Sequence, residues 1–318
     1  MRRYLIRRAL LSALSLLAAT IMVFSLAHAK EDPVNMFFKA DSYGMTQEQL
    51  EYQKKKLGLD RPLIVQYALW VSRIVRGDLG KSLEGNRPVT EIVMQKAGAT
   101  IQLALTAWMF GIVIGIPLGI LSAVKRETIW DYAGRGIALF GQALPAFWVG
   151  IVSILVFSVM LGLLPTSTKG EGEPFFTQIR PFILPTFVLG WGPAAVYLRV
   201  TRSAMLDVLD SEYITLARAK GVASRKVIWK HAFRNAIIQP ITVAALVLAG
   251  FLDGAVLVEN VFAWPGLGRR SVQAVSQNDF PVLTGIVFIF TAVYLVVNLI
   301  VDAMHALMDP RIRYHERD

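Results

Sequence analysis

Apolar residues gather into six long runs, at about residues 9–27, 101–124, 136–164, 182–197, 236–258 and 282–304, and polar, charged stretches separate them. Most of these runs approach or exceed the roughly 20 residues that a helix needs to cross hydrocarbon. The pattern therefore predicts an all-α polytopic membrane protein with six transmembrane helices. The first run follows Arg2, Arg3, Arg7 and Arg8 and ends at Ala27-His28-Ala29, which imitates a signal-peptidase site. It is longer than the roughly 7 to 15 apolar residues of a secretory signal, so it reads as a retained span. In the second run Gly111, Gly115 and Gly119 recur every fourth residue around Pro117. Small residues on one face let two backbones approach closely in lipid, which makes these three a helix-packing face. Pro145 interrupts the third run. A proline frees a backbone carbonyl and kinks the helix, tolerable only beside protein or water, so Pro145 is a candidate for lining a pathway.

The polar stretches differ among themselves. Residues 30–98 hold eleven Lys/Arg against nine Asp/Glu and include helix-like pieces at 46–57 and 63–75. Residues 199–234 are basic, with eight Lys/Arg against three Asp/Glu. There Asp210 or Ser211 suits the cap of a short helix, Gly221 suits the left-handed residue that ends it, and Ser224 suits the cap of a second helix carrying Val227, Ile228 and Phe233. Residues 165–181 are balanced in charge and 259–270 are rich in turn formers. Residues 311–317 bring Arg311, Arg313 and Arg317.

Composition and charge fix the class and the orientation. With 54% hydrophobic and 18% charged residues the chain is unsuited to a soluble fold of 318 residues. The net charge of +10 would suit nucleic acid, but the cations sit in alternate loops, as membrane topology demands. If both termini are cytoplasmic, the inner pieces hold 18 Lys/Arg and the two short outer loops 4. The segment 30–98 is too long to obey that rule. The chain divides accordingly into a tail and first helix at 1–29, an extracytoplasmic insertion at 30–98, a core at 99–307 with a cytoplasmic loop at about 203–235, and a cytoplasmic tail at 308–318.

Catalytic chemistry finds no foothold. There is no cysteine, and His28, His231, His305 and His315 are scattered without metal spacing. Gly80-Lys81-Ser82 imitates the end of a phosphate-binding loop, but Val75 stands where the first glycine is needed. Within the runs, Asp253 and Asn298 are costly in lipid and are pathway candidates, whereas Asp302 lies near an end and reads as structural.

Several stretches carry a resemblance. ARAKG at 217–221 with HAFRNAIIQP at 231–240 resembles the cytoplasmic EAA loop of ABC-importer permeases, in the oligopeptide and dipeptide branch, whose relatives also carry nickel and glycans. LGLDRPLIVQY at 57–67, RGDLGKSL at 76–83 and VFAWPGLG at 261–268 resemble further segments of that branch. Thr215 stands where the general motif has Glu, and Arg234 where it has Pro. The resemblance implies a permease subunit of a multi-pass prokaryotic cell membrane importer. It implies that Glu212, Thr215, Leu216, Ala217, Arg218, Ala219, Lys220, Gly221, Lys230, His231 and Arg234 belong to a loop that couples to an ATPase. The implied partners are a second, homologous permease chain, two cytoplasmic ATPase subunits that carry the ATP and Mg, an extracytoplasmic substrate-binding protein and membrane lipid. This chain itself would bind no cofactor, no metal and no nucleic acid. A stand-alone secondary transporter and, more remotely, an intramembrane enzyme are the alternatives.

The orientation is testable in this cysteine-free chain. Ser42→Cys is expected to react with a membrane-impermeant thiol reagent in intact cells; labelling only after lysis would reverse the topology.

Overall fold

The computed structural model describes residues 2–29, 61–166 and 179–308. Among them the elements are helical: α1 (Arg2–Ala29), α2 (Leu63–Val75), α3 (Val89–Val124), α4 (Ile129–Ala143), α5 (Ala146–Met160), α6 (Ile179–Leu209), α7 (Glu212–Ala219), α8 (Ser224–Ala236), α9 (Ile238–Val261), α10 (Leu267–Ser276) and α11 (Phe280–Met308). The expected helix at 46–57, Ser42 and the tail beyond residue 308 lie outside the described residues.

Among the described residues, three helices are long and apolar enough to cross a membrane, Val89–Val124, Ile179–Leu209 and Phe280–Val301; two bent pairs raise the number to five. That is coarser than the six predicted runs. In α1 the apolar stretch, Leu10–Ser25, is shorter than these spans. The chain forms two compact units, residues 1–98 with 270–299 and residues 99–269 with 300–318.

In the first unit, α1 and α2 meet through Thr20 and Tyr67, whose hydroxyls lie 2.9 Å apart, and through Phe24 edge-on to Tyr67. After α2 the chain makes a tight hairpin in which the N–H of Val89 donates to Gly80 O and that of Ser82 to Arg87 O, each at 2.9 Å. The turn uses left-handed Gly85 and Asn86. Asp279, buried between α10 and α11, pins this hairpin: it accepts from Ser82 Oγ at 2.5 Å, Leu83 N at 3.1 Å and Arg270 Nη2 at 3.2 Å. A buried carboxylate is stable only when its oxygens are occupied in this way.

In the second unit, α3 lies backbone to backbone against α6. A methyl at Gly119 would come 2.6 Å from the carbonyl oxygen of Leu198, and one at Gly115 would run into that of Ala194. Gly111 lies against the Tyr197 ring, and Gly190 of α6 returns the contact at Ala107 O. One apolar core joins Leu103 and Ala107 of α3, Phe182 and Val188 of α6, Phe251 and Val258 of α9, and Trp264. A second joins Ile116, Ile120, Tyr197 and Met205 to the residues that follow α6.

Several elements differ from the pattern-based reading. Pro145 breaks the third run rather than kinking it: α4 and α5 turn through 104°. Leu144, as the residue before proline, is driven out of the α region to φ −89°, ψ 129°, and Pro145 then opens α5. Helix α3 begins at Val89, not 101, because Val89, Ile92 and Val93 supply a buried face ahead of the uniformly apolar part. Helix α6 continues to Leu209, well past residue 197. The stretch 259–270 is partly helical, since α9 reaches Val261 and α10 starts at Leu267.

If α3 and α6 depend on that close approach, Gly115→Leu is expected to destabilise the protein by about 3 kcal/mol. The thermal unfolding midpoint in detergent would fall; an unchanged midpoint would show that the two helices can separate without cost.

Candidate functional site

The segment after α6 folds into two short helices joined at Gly221. Ser211 takes the cap position of α7 at φ −76°, ψ 151°, but its hydroxyl donates back to Val208 O at 2.5 Å instead of capping the helix amides. At the other end, Val222 N donates to Ala217 O at 3.2 Å and Gly221 N to Arg218 O at 2.9 Å. This doubly bonded helix end requires a left-handed residue. Gly221 supplies it, with φ +74°. The cap of α8 is Ala223, at φ −54°, ψ 135°, not Ser224, which is the first helical residue. The turns of α8 over Val227–Phe233 are π-helical, and a 46° bend at Ile237 separates α8 from α9.

The two helices have a dry face and a wet one. Ile214, Val227, Ala232 and Ala236 are buried with Ala204 and Met205 of α6 and with Ile116 and Ile120 of α3. Glu212, Thr215, Leu216, Arg218, Ala219, Lys220, Gly221, Lys230 and Arg234 are exposed; Ala217 and His231 are half-buried. Asn235 Nδ2 donates to Tyr213 OH at 2.9 Å and so ties the second helix to the first. On the open face Leu216 is 56% and Trp229 53% exposed, among six cations: Arg218, Lys220, Arg225, Lys226, Lys230 and Arg234. The exposed side chains of the two helices thus combine large apolar groups with cations.

Of the pathway candidates, Pro145 and Asn298 have described side chains. The residues on either side of Pro145, Leu144 and Ala146, line a cleft of about 370 Å³ together with Gly141, Trp191, Gly192 and Phe251 among others. Pro145 has no N–H to offer Gly141 O, so that carbonyl loses its helical partner. Asp253 belongs to α9, but its side chain lies outside the described residues, as does that of Asp302. Asn298 is half-buried in α11, with no side-chain partner among the described residues. Among the described residues no three His, Cys, Asp or Glu side chains gather as a metal site would require.

Besides Asp279, two further buried acids were not singled out from the sequence. Asp131, fully buried at the start of α4, accepts from Arg202 Nε at 2.7 Å and Nη2 at 3.0 Å, and from Ser122 Oγ at 2.7 Å. Glu259, also fully buried, accepts from Thr100 Oγ1 at 2.6 Å and from Arg269 N at 3.0 Å, closing the first turn of α10. Thr100 in turn accepts from Leu267 N at 2.8 Å, and Trp264 Nε1 donates to Ala99 O at 3.0 Å. Gly266 and Gly268 leave room for that carboxylate, which explains the glycines of VFAWPGLG. An acid beside an apolar run was the available signal for Glu259. Asp131 offered only its neighbour Arg135, because its chief partner lies 71 residues away.

Comparison with known proteins agrees on one family. The description "Binding-protein-dependent transport system inner membrane component" matches residues 115–314, and the N-terminal component of such systems matches residues 1–104. The chain is 36% identical to the dipeptide transport system permease protein DppB of Escherichia coli K12, over 99% of both chains. It is 39% identical to the oligopeptide transport system permease protein AppB of Bacillus subtilis 168, over 99% of this chain and 100% of that one. Among solved structures, it resembles the inward-facing MetNI methionine ABC transporter with a TM-score of 0.54 at 18% identity, over 69% of this chain and 96% of that chain. An amino acid ABC transporter with histidines gives 0.52 at 16%, over 70% and 94%. At such identities the likeness is one of fold.

A side chain at Gly221 would meet no atom within 4 Å, so any penalty there is torsional. Gly221→Val is expected to cost the loop about 1 kcal/mol or more, and Gly221→Asn less. Amide hydrogen exchange at residues 221 and 222 should accelerate in that order; equal protection in all three proteins would remove the left-handed requirement.

Proposed function

The chain belongs to the family of binding-protein-dependent transport system inner membrane components, and from that premise we propose that α7 and α8 dock on a cytoplasmic ATPase and that peptides are the cargo. The chain is a multi-pass inner-membrane permease subunit of an ABC importer and not an enzyme. In this reading it works beside a second, homologous permease chain, with two ATPase subunits holding the ATP and Mg and an extracytoplasmic protein delivering substrate. The names of the relatives, dipeptide and oligopeptide permeases, support the cargo.

The observation that carries the docking assignment is the two-faced pair of short helices. Their buried face is continuous with α3 and α6, while their open face presents Leu216 and Trp229 among cations. A push on the open face therefore reaches the spans through packed side chains. Glu212, Thr215, Arg218, Ala219, Lys220, Lys230 and Arg234 surround the anchors; Gly221 sets the angle between the helices; Ala217 and His231 sit at the margin of the core. The six-span arrangement with both ends and residues 203–235 inside accounts for the charge bias, and the segment 30–98 is then external. The cleft beside Leu144 and Ala146, with the freed carbonyl of Gly141, is the proposed passage in the second unit; Asp253 and Asn298 remain pathway candidates in their own right, by their polarity in apolar helices.

Leu216→Asp places a charge where the anchor should become dry and is expected to weaken recovery of the ATPase with the permease about tenfold, the factor for 1.4 kcal/mol. Recovery at the parental level would remove Leu216 from the interface. In proteoliposomes, uptake of a radiolabelled dipeptide should need ATP and all subunits. Uptake by this chain alone, driven by an ion gradient, would make it a secondary transporter.

A further inference from the structure

Resting on the reading of the chain as an ATP-driven permease, we propose that Asp131 and Arg202 are positioning residues of transport: their ion pair makes the α3–α4 corner follow the α7–α8 loop as one body. Neither residue belongs to the loop, the packing glycines or the cleft.

The pair is built for one geometry. A carboxylate offers about four lone-pair sites, and Asp131 fills its sites from Arg202 Nε and Nη2, Ser122 Oγ and Glu127 N, the last at 3.1 Å. Arg135 Nη2 adds an ion pair at 3.4 Å. The donors come from α3, from the turn between α3 and α4, from α4 itself and from α6. Glu127, a non-glycine residue at φ +62°, is held in that left-handed turn by its bond to the same carboxylate. The planar fork of arginine permits only one approach, which lysine would not reproduce. A buried ion pair is a poor source of net stability beside apolar packing. What it supplies here is a fixed relation between α6 and the α3–α4 corner.

The same stretch of α6 holds the docking loop. Met205, three residues after Arg202, is fully buried in the core that contains Ile214, Val227, Ala232 and Ala236. One turn of α6 thus grips α7 and α8 with an apolar side chain and the α3–α4 corner with a guanidinium. Arg126 and Asp210 bridge the same two regions at 3.3 Å, but both are more than half exposed. Such a pair is screened and loosely held, so the Asp131–Arg202 pair, with its carboxylate fully buried and its guanidinium mostly so, transmits the motion.

The cysteine-free chain allows a direct test. Ile129→Cys and Ala223→Cys, both exposed, take spin labels in the assembled complex, and the distance between them is measured without nucleotide and after trapping with ATP and vanadate. The expected result is one narrow distribution in both states for the labelled parent and for Arg126→Ala. Arg202→Lys should broaden the distribution in both states and lower dipeptide imported per ATP hydrolysed about tenfold, with the yield of assembled complex unchanged. Should Arg202→Lys fail to accumulate, Ser122→Ala, which removes one donor and leaves the ion pair, should give a smaller broadening. A parent distribution that shifts on trapping overturns the proposal, because corner and loop then move separately. A narrow distribution with parental uptake per ATP in Arg202→Lys, or in Ser122→Ala if it is used, overturns it too. The nucleotide-free distances judge the pair even if the parent imports without ATP, which would instead overturn the functional reading.

Discussion

A chain that leaves water for hydrocarbon must satisfy its own backbone, since no solvent is there to replace a missing partner. Backbone buried beside the spans meets the same demand, and three irregular features of this permease answer to it. Where α4 gives way to α5, the break lies against α6 and a cleft, with the residue before proline extended and the carbonyl of Gly141 released. Where α9 ends, the carboxylate of Glu259 receives the first amides of α10. Where the hairpin before α3 meets the α10–α11 turn, Asp279 collects a hydroxyl, an amide and a guanidinium. Irregular backbone survives in each place because a buried acid or a neighbouring helix stands where water would have stood.

The acids divide the labour by their surroundings. Glu259 and Asp279 organise turns, and their donors are mostly backbone amides and hydroxyls. Asp131 is held by a guanidinium and joins helices. In lipid the apolar effect gives helices little reason to associate, so specific bonds and close backbone contact must choose which surfaces meet. The α3–α6 pair uses glycines for that choice along most of its length, and the Asp131–Arg202 bond ties the start of α4 to the end of α6 next to the docking loop.

Local signals in the sequence were readable where the physics was local. Gly221 could be placed because a left-handed helix end leaves few alternatives, and the four-residue spacing of Gly111, Gly115 and Gly119 pointed to a helix face without naming its partner. The run boundaries were less readable. Amphipathic extensions such as 89–100 of α3 look polar in a hydropathy reading yet continue the helix, and a proline inside an apolar run does not announce whether it bends by a little or by a right angle. Ser224 was an attractive cap by residue type, but Ala223 takes the non-helical cap conformation and Ser224 already lies inside the helix. Asp131 and Arg202 were not legible as a pair, because nothing local links positions 71 residues apart.

The packing glycines also differ in what could compensate for their loss. At Gly141 the obstacle to a methyl group is the Cβ of Ala195, 2.5 Å away. That obstacle is a side chain, so a defect in Gly141→Ala has a natural second-site suppressor in Ala195→Gly. At Gly115 and Gly119 the obstacles include main-chain carbonyls of Ala194 and Leu198, which every amino acid possesses. No substitution on α6 removes a carbonyl, so a genetic search for suppressors should recover changes that shift a whole helix, or true revertants, at these two positions. The contact between α3 and α6 is in this sense written in the backbone, and only one of its two sides is open to mutation.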